Sequence, residues 1–309
     1  MMTFIEKYIM PYAMKFGNNR HLLAIRDALI GMIAITMVGS FAVLFNNLGE
    51  IIKPYGRLME SIFGESWKTL GGDIWWGTFA FLTIFAVFGI SHRLAKSYGD
   101  DGFEAMLVAA ACFFLLIPQV GQVPDTEGVW GFIGYGYFNA TALFTGIVVA
   151  LLATELFIRL TRVKAFIIKL PDGVPPAVAG AFAKLVPGML TIFVFGVAGL
   201  LFRKMTNGEF LNDWLNATLV APLTNAADSL PFAILIVFLV HGFWAVGLHG
   251  PNILGGVTTP LFTSLGTKNT DLYAQGVADL DKYAILAGPF LDAFVYLGGS
   301  GATLGLIIA

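Results

Sequence analysis

The sequence predicts an all-α polytopic membrane protein, and three observations carry that prediction. Hydrophobic residues make up 57% of the 309-residue chain and charged residues only 12%, against about 25% charged in a typical soluble domain. Mean hydropathy is +0.78. Several apolar runs are long enough to cross a hydrocarbon layer of roughly 30 Å as helices, and the ten-residue alternation of a membrane barrel does not occur. A net charge of −2 gives no footing for nucleic acid. The single cysteine, Cys112, excludes an internal disulfide and reads as a small buried apolar side chain.

About six full spans are expected, with broken or re-entrant segments after them. Residues 1–27 read as an interfacial arm, with Phe4, Ile5, Tyr8, Ile9 and Tyr12 on one helical face. No small-residue cleavage site follows the first apolar run, which reads as an uncleaved first span. That span covers 28–48 and ends at Asn46, Asn47 and Gly49. A polar connection follows, with a short helix around 55–63. The second span, 74–92, opens on Trp75-Trp76, an interfacial anchor. The third covers 103–117 and is closed by Pro118. The fourth covers 139–158, with Glu155 expected near the interface. Pro171, Pro175 and Pro176 forbid a continuous helix through 159–188, so the fifth span is placed at 184–202. An amphipathic surface helix is expected at 208–224, and the sixth span at 231–249.

The chain divides into an N-terminal scaffold part, 1–205, and a transport part, 206–309. Lysine and arginine favour a cytoplasmic N-terminus: Lys7, Lys15, Arg20 and Arg26 precede span one, and Arg159, Arg162, Lys164 and Lys169 follow span four. Lys53, Arg57, Lys68, Arg203 and Lys204 argue the other way.

The transport part is organised around His241–Pro260, HGFWAVGLHGPNILGGVTTP. Gly250-Pro251 and Gly255-Gly256 are both expected to break the helix there. Broken backbone at membrane depth is tolerated only where protein or a watery cavity satisfies it, and an ionisable residue at such a break is a functional candidate. His249 is the sharpest one. The sequence places it at the C-terminus of span six, where the helix dipole favours a protonated ring. The alternative is a histidine satisfied by a packed bundle, and His241 fits that alternative better. Asn252, Thr258 and Thr259 offer uncharged hydrogen bonds beside His249. Trp244 presents a flat face on which a sugar ring can stack, or it is a bundle tryptophan. Further on, Asp292 stands in an apolar piece. Gly299, Ser300 and Thr303 belong to a glycine–hydroxyl turn able to approach a ligand closely. No metal, nucleotide or cofactor signature occurs and no catalytic residue is expected: His-Glu-x-x-His, Cys-x-x-Cys, nucleophile-elbow and Walker patterns are missing.

Five stretches occur in an order that resembles a known family. FIEKYIMPYAMKFGNNRHLLAIRDALIGMIAITMVGSFAVLFNNLG opens the series. YFNATALFTGIVVALLATELF, LPDGVPPAVAGAFAKLVPG, WAVGLHGPNI and GGSGATLGL follow. Together they resemble the membrane subunit, enzyme IIC, of the bacterial phosphoenolpyruvate-dependent sugar phosphotransferase system, in its lactose/cellobiose (diacetylchitobiose) branch. The resemblance implies a homodimeric permease in the bacterial cell membrane. Its disaccharide is phosphorylated on the cytoplasmic side by a phosphocysteine of the partner subunit IIB, with IIA upstream. It also implies that His249 contacts the acceptor hydroxyl and that Gly299, Ser300 and Thr303 line the same site. The family's Asn-Glu-Pro motif does not occur before Ala309, so the chain is expected to be truncated ahead of the family's last spans. Two other readings stay open: a cation-coupled secondary sugar transporter using Asp292 and His249, and a structural remnant.

Overall fold

Asn19 makes the first corner of the chain. In the computed structural model its side chain accepts from the backbone N–H groups of His21 and Leu22, so the helix that follows starts with two of its orphan donors satisfied. The structure describes Lys7 and residues 10–121, 129–131, 133–171, 173–245, 247–287 and 290–296.

Helix α1 (Met10–Gly17) precedes the corner and α2 (Arg20–Gly31) follows it. The expected first span therefore divides. Helix α2 gives Ala24, Ile25, Ala28 and Leu29 to the core, and α3 (Ile33–Ile51) continues after a turn at Met32. The polar connection forms α4 (Lys53–Phe63), with no buried residue. Helices α5 (Lys68–Thr78) and α6 (Leu82–Ser97) meet through a 3-10 turn, Phe79–Phe81. The glycine and aromatic loop after α7 (Phe103–Leu115) contains a two-stranded antiparallel ribbon, in which β1 (Val120–Gly121) pairs with β2 (Val129–Trp130). Helix α8 spans Leu143–Thr161.

Helix α9 runs Pro176–Met205, starting eight residues before the expected Lys184. A proline in the first turn lacks a donor that has no helical partner anyway, so Pro176 begins the helix instead of delaying it. The expected amphipathic helix at 208–224 forms α10 (Leu211–Leu215), a π-helical turn at Asn216–Val220, and α11 (Ala221–Ala227). Helices α12 (Leu230–Ala245), α13 (Gly250–Ala274) and α14 (Phe290–Phe294) complete the described fold.

Among the described residues four helical stretches are long and apolar enough to cross a membrane: Ile33–Ile51, Glu65–Ser97, Ala140–Thr161 and Pro176–Met205. The pair Leu211–Ala227 and Leu230–Ala245, bent by 74°, makes a fifth if counted as one span. The expected third span, 103–117, forms the shorter apolar helix α7. Its 13 residues reach only about 20 Å.

The main core lies between α2, α6, α7 and α8, where Leu82, Ile90, Phe113 and Leu143 are fully buried. Buried Thr83 donates to the Asn139 carbonyl at 2.6 Å and ties α6 to the turn before α8. Smaller clusters hold the later helices together: Ala227, Leu261, Leu265 and Ala287 in one, Ile236, Val240 and Leu291 in another. Lipid tails are as apolar as leucine, so close packing and satisfied hydrogen bonds, more than escape from water, hold such helices together.

Gly255-Gly256 does not break α13, contrary to the sequence expectation. The helix runs through both residues. A Cβ on Gly256 would stand 2.9 Å from the Leu22 Cα and carbonyl oxygen, so the missing side chain is what lets α13 lie against the α2 backbone.

Candidate functional site

Helix α12 ends at Ala245 and α13 begins at Gly250. His249 is the N-cap of α13, in extended conformation, and its Nδ1 accepts from the Asn252 backbone N–H at 3.2 Å. Pro251 sits in the first turn, where its missing N–H costs nothing. This corrects the placement of His249 at a helix C-terminus. The break at Gly250-Pro251 is real, but the histidine belongs to the helix that starts there, so the C-terminal dipole argument for a charged ring does not apply. With Nδ1 accepting, the neutral ring carries its proton on Nε2 and leaves that N–H as a donor.

Trp244 comes with it: the two ring centroids lie 4.8 Å apart at 55°. Both side chains are exposed, and together they present an indole face, an indole N–H and an imidazole N–H. Asn252 joins through its backbone. Its N–H caps on His249, and its carbonyl accepts from Arg26 Nη1 at 3.4 Å. Thr258 returns its hydroxyl to the Leu254 carbonyl at 3.2 Å, which is the structural role for such a residue. His241 Nδ1 lies 2.8 Å from the Val237 carbonyl and its ring 5.9 Å from Tyr296, as expected of a packing histidine. Gly299, Ser300 and Thr303 lie outside the described residues. Asp292 lies on α14, and its side chain is also outside them.

A cavity of about 490 Å³ runs beside α13, walled by α2, α3 and α12. Thr259, Thr263, Thr267 and Thr270 line one wall. Leu29, Ile33, Ile236 and Val240 also line the cavity, and Pro251 and Tyr296 border it. Hydroxyls against apolar side chains, at this volume, suit an uncharged solute. His249 lies two residues before Pro251 and is not itself in the lining.

The same end of the bundle carries two ionic fasteners. Glu155 accepts from the Tyr98 hydroxyl at 2.6 Å and Arg159 Nε at 2.8 Å, with His21 Nε2 at 3.3 Å. Burial pushes the Tyr98 hydroxyl above its ordinary pKa, and the Arg20 and Arg162 guanidinium groups lie 4.3 and 5.0 Å from its ring centre. Glu155 thus joins α2, α6 and α8. Asp100, Asp101 and Glu104 draw their carboxylates together, and Lys184 Nζ sits among them at 3.0, 3.3 and 2.8 Å. The ammonium fills the position a metal ion would need.

Sequence reasoning missed the pair Asn139 and Asp271, both buried, whose side chains meet at 3.5 Å. Asp271 is the sole acidic residue of α13, and a lone acid in a largely apolar helix was the available signal.

Long apolar helices around a buried core, a helix pair broken beside a histidine, and a hydroxyl-walled cavity define a polytopic helical membrane protein with room for a small solute. Residues 26–309 match the family described as Phosphotransferase system, EIIC. The lichenan permease IIC component of Bacillus subtilis (strain 168) is 35% identical, over 98% of this chain and 67% of the relative. The cellobiose-specific EIIC component of Geobacillus stearothermophilus is 36% identical, with the same two coverages. Among solved structures, that of the transporter ChbC, the IIC component from the N,N'-diacetylchitobiose-specific phosphotransferase system, superposes with a TM-score of 0.90. It is 35% identical, and the match covers 99% of this chain and 70% of that one. The chain belongs to the phosphotransferase system EIIC family and spans about two thirds of the length of these relatives.

Proposed function

We propose that this chain is the sugar-translocating permease part of a phosphoenolpyruvate-dependent phosphotransferase system. It imports a disaccharide of the cellobiose, diacetylchitobiose or lactose type with coupled phosphorylation by IIB. The observation that carries the reading is the likeness to ChbC, at 35% identity and a TM-score of 0.90 over 99% of the chain. The exposed Trp244–His249 pair beside a solute-sized cavity supports it.

In this reading Trp244 stacks on a sugar ring and His249 Nε2–H donates to the acceptor hydroxyl. Moving the ring proton to Nδ1 would break the cap to Asn252, at a cost of about 1 kcal/mol. His249 therefore holds and orients the hydroxyl better than it removes its proton. Asn252 keeps α13 seated. Gly299, Ser300 and Thr303 would complete the site. The phosphorylated product carries about −1.5 to −2 charges, which opposes its return through an apolar barrier.

The same proposal makes residues 1–205 the scaffold of a homodimer in the bacterial cell membrane, with a cytoplasmic N-terminus. The clustering of Arg20, Arg159 and Arg162 at the His249 end supports that orientation.

The test is cellobiose uptake by the protein in sealed vesicles, with and without phosphorylated IIB. Sugar phosphate should accumulate only with IIB, and His249→Ala should cut phosphorylation at least tenfold while sugar binding changes little. Uptake that needs a cation gradient and ignores IIB would replace this reading with a secondary transporter.

A further inference from the structure

Asn139 cannot turn its amide around. Its Oδ1 accepts the Thr141 backbone N–H at 2.9 Å, capping the turn into α8. Its Nδ2 therefore points to Asp271 Oδ2, at 3.5 Å. Asp271 is only 9% exposed, and its Oδ1 has no partner within the protein. The buried Trp75 indole N–H faces the same carboxyl and interacts with it, and it finds no other partner. Asn139 and Asp271 border a cavity of about 560 Å³, with Thr141, Asn216 and Lys268 around it and the exposed Tyr135 ring at its mouth.

A carboxyl this buried on a cavity wall, with one oxygen unpartnered within the protein, calls for a ligand that donates to it. A metal or alkali ion does not answer that description. The groups turned toward Asp271 are N–H donors, where a cation would need oxygens. The volume also exceeds that of an ion site and falls in the range of a small-molecule pocket. A sugar hydroxyl fits, donating to Asp271, with the hydroxyl of Thr141 and the amide of Asn216 on the same cavity wall and a ring face available to Tyr135.

Asp271 lies 22 residues along α13 from His249, about 33 Å of helix. We propose that this cavity is a second carbohydrate site, at the end of α13 opposite His249, taking a neutral disaccharide on its way to the first. The inference rests on the permease reading above.

The experiment measures cellobiose uptake, driven by phosphorylated IIB, in the parent, Asp271→Asn and Asn216→Ala. The first substitution keeps shape and removes an acceptor, and the second alters only the rim. Loss of a hydrogen bond to a charged group is worth about tenfold or more. KM should therefore rise about tenfold in Asp271→Asn and severalfold in Asn216→Ala, with the maximal rate kept. If Asp271→Asn does not fold, by size exclusion and melting, Asn216→Ala decides alone. A transporting parent with variants of unchanged KM overturns this site and leaves the permease reading intact. So does a variant whose only change is in cation dependence. A parent that transports nothing with IIB present overturns both.

Discussion

Substituting Gly256 by alanine tests how α13 is seated. The added Cβ would stand 2.9 Å from the Leu22 Cα and carbonyl oxygen, and these are backbone atoms that cannot rotate away. Overpacking of this kind costs about 1–3 kcal/mol, while replacing glycine inside a helix returns at most about 1 kcal/mol. The net expectation for Gly256→Ala is a loss of about 0–2 kcal/mol. Gly255 is the control one residue away. Its Cβ would meet the Arg26 Cδ at 3.0 Å and Cγ at 3.2 Å, a flexible side chain able to give way, so Gly255→Ala should gain about 0–1 kcal/mol from propensity alone. At roughly 2 °C per kcal/mol for a large domain, the two variants should differ by roughly 2–6 °C in detergent melting followed by fluorescence-detected size exclusion. Equal melting temperatures, or a more stable Gly256→Ala, would refute the claim that α13 needs glycine to meet α2.

Two further predictions concern the ionic fastener at the His249 end. Lys184→Met would leave Asp100 and Glu104, 15% and 28% exposed, facing each other without a cation. The groups are only partly buried, so the loss should be about 1–2 kcal/mol, below the ~3–5 kcal/mol of a fully buried broken pair, and thermal melting reads it; no change would make the cluster a solvated surface group. Asp101 is held below its ordinary pKa first by the Phe103 backbone N–H and then by Lys184. Its folded value lies under its unfolded value, so its stabilisation is complete above the usual carboxylate range and is lost as pH falls through the lowered folded value. Protection of the Phe103 amide against hydrogen exchange should fall below about pH 4, and Asp101→Asn should remove that dependence.

The fold class and most elements were legible because membrane helices are written in long apolar runs, and a run needs no partner to be recognised. The places that failed share one cause. Gly255-Gly256 reads as a break or as a contact depending on whether another backbone lies opposite, and only the position of Leu22 decides it. His249 lies between two helices, and chain order does not say which one it caps. Its neighbours Trp244 and Asn252 are close in sequence, so that cluster could be found. Asn139 and Asp271 are 132 residues apart, and nothing local in either stretch announces their meeting. At α7 hydropathy runs on to Ile117, while the helix stops at Leu115 ahead of Pro118, a residue that restricts its predecessor to extended backbone.

The course of α13 bears on how its two ends communicate. Pro260 lies inside the helix and is buried, and it has no N–H to give to the carbonyl four residues earlier. That carbonyl belongs to Gly256, the residue whose Cα rests against Leu22. The interrupted hydrogen-bond ladder and the tight crossing on α2 therefore fall on the same turn. Helices bend most easily where the ladder is interrupted, and here that turn is also the one that meets α2. His249 and Asp271 sit on opposite sides of it. A tilt of the His249 segment can thus be absorbed at this turn without dragging the Asp271 segment through the same arc, which is the freedom a helix needs if it touches solute at both ends while remaining one continuous element.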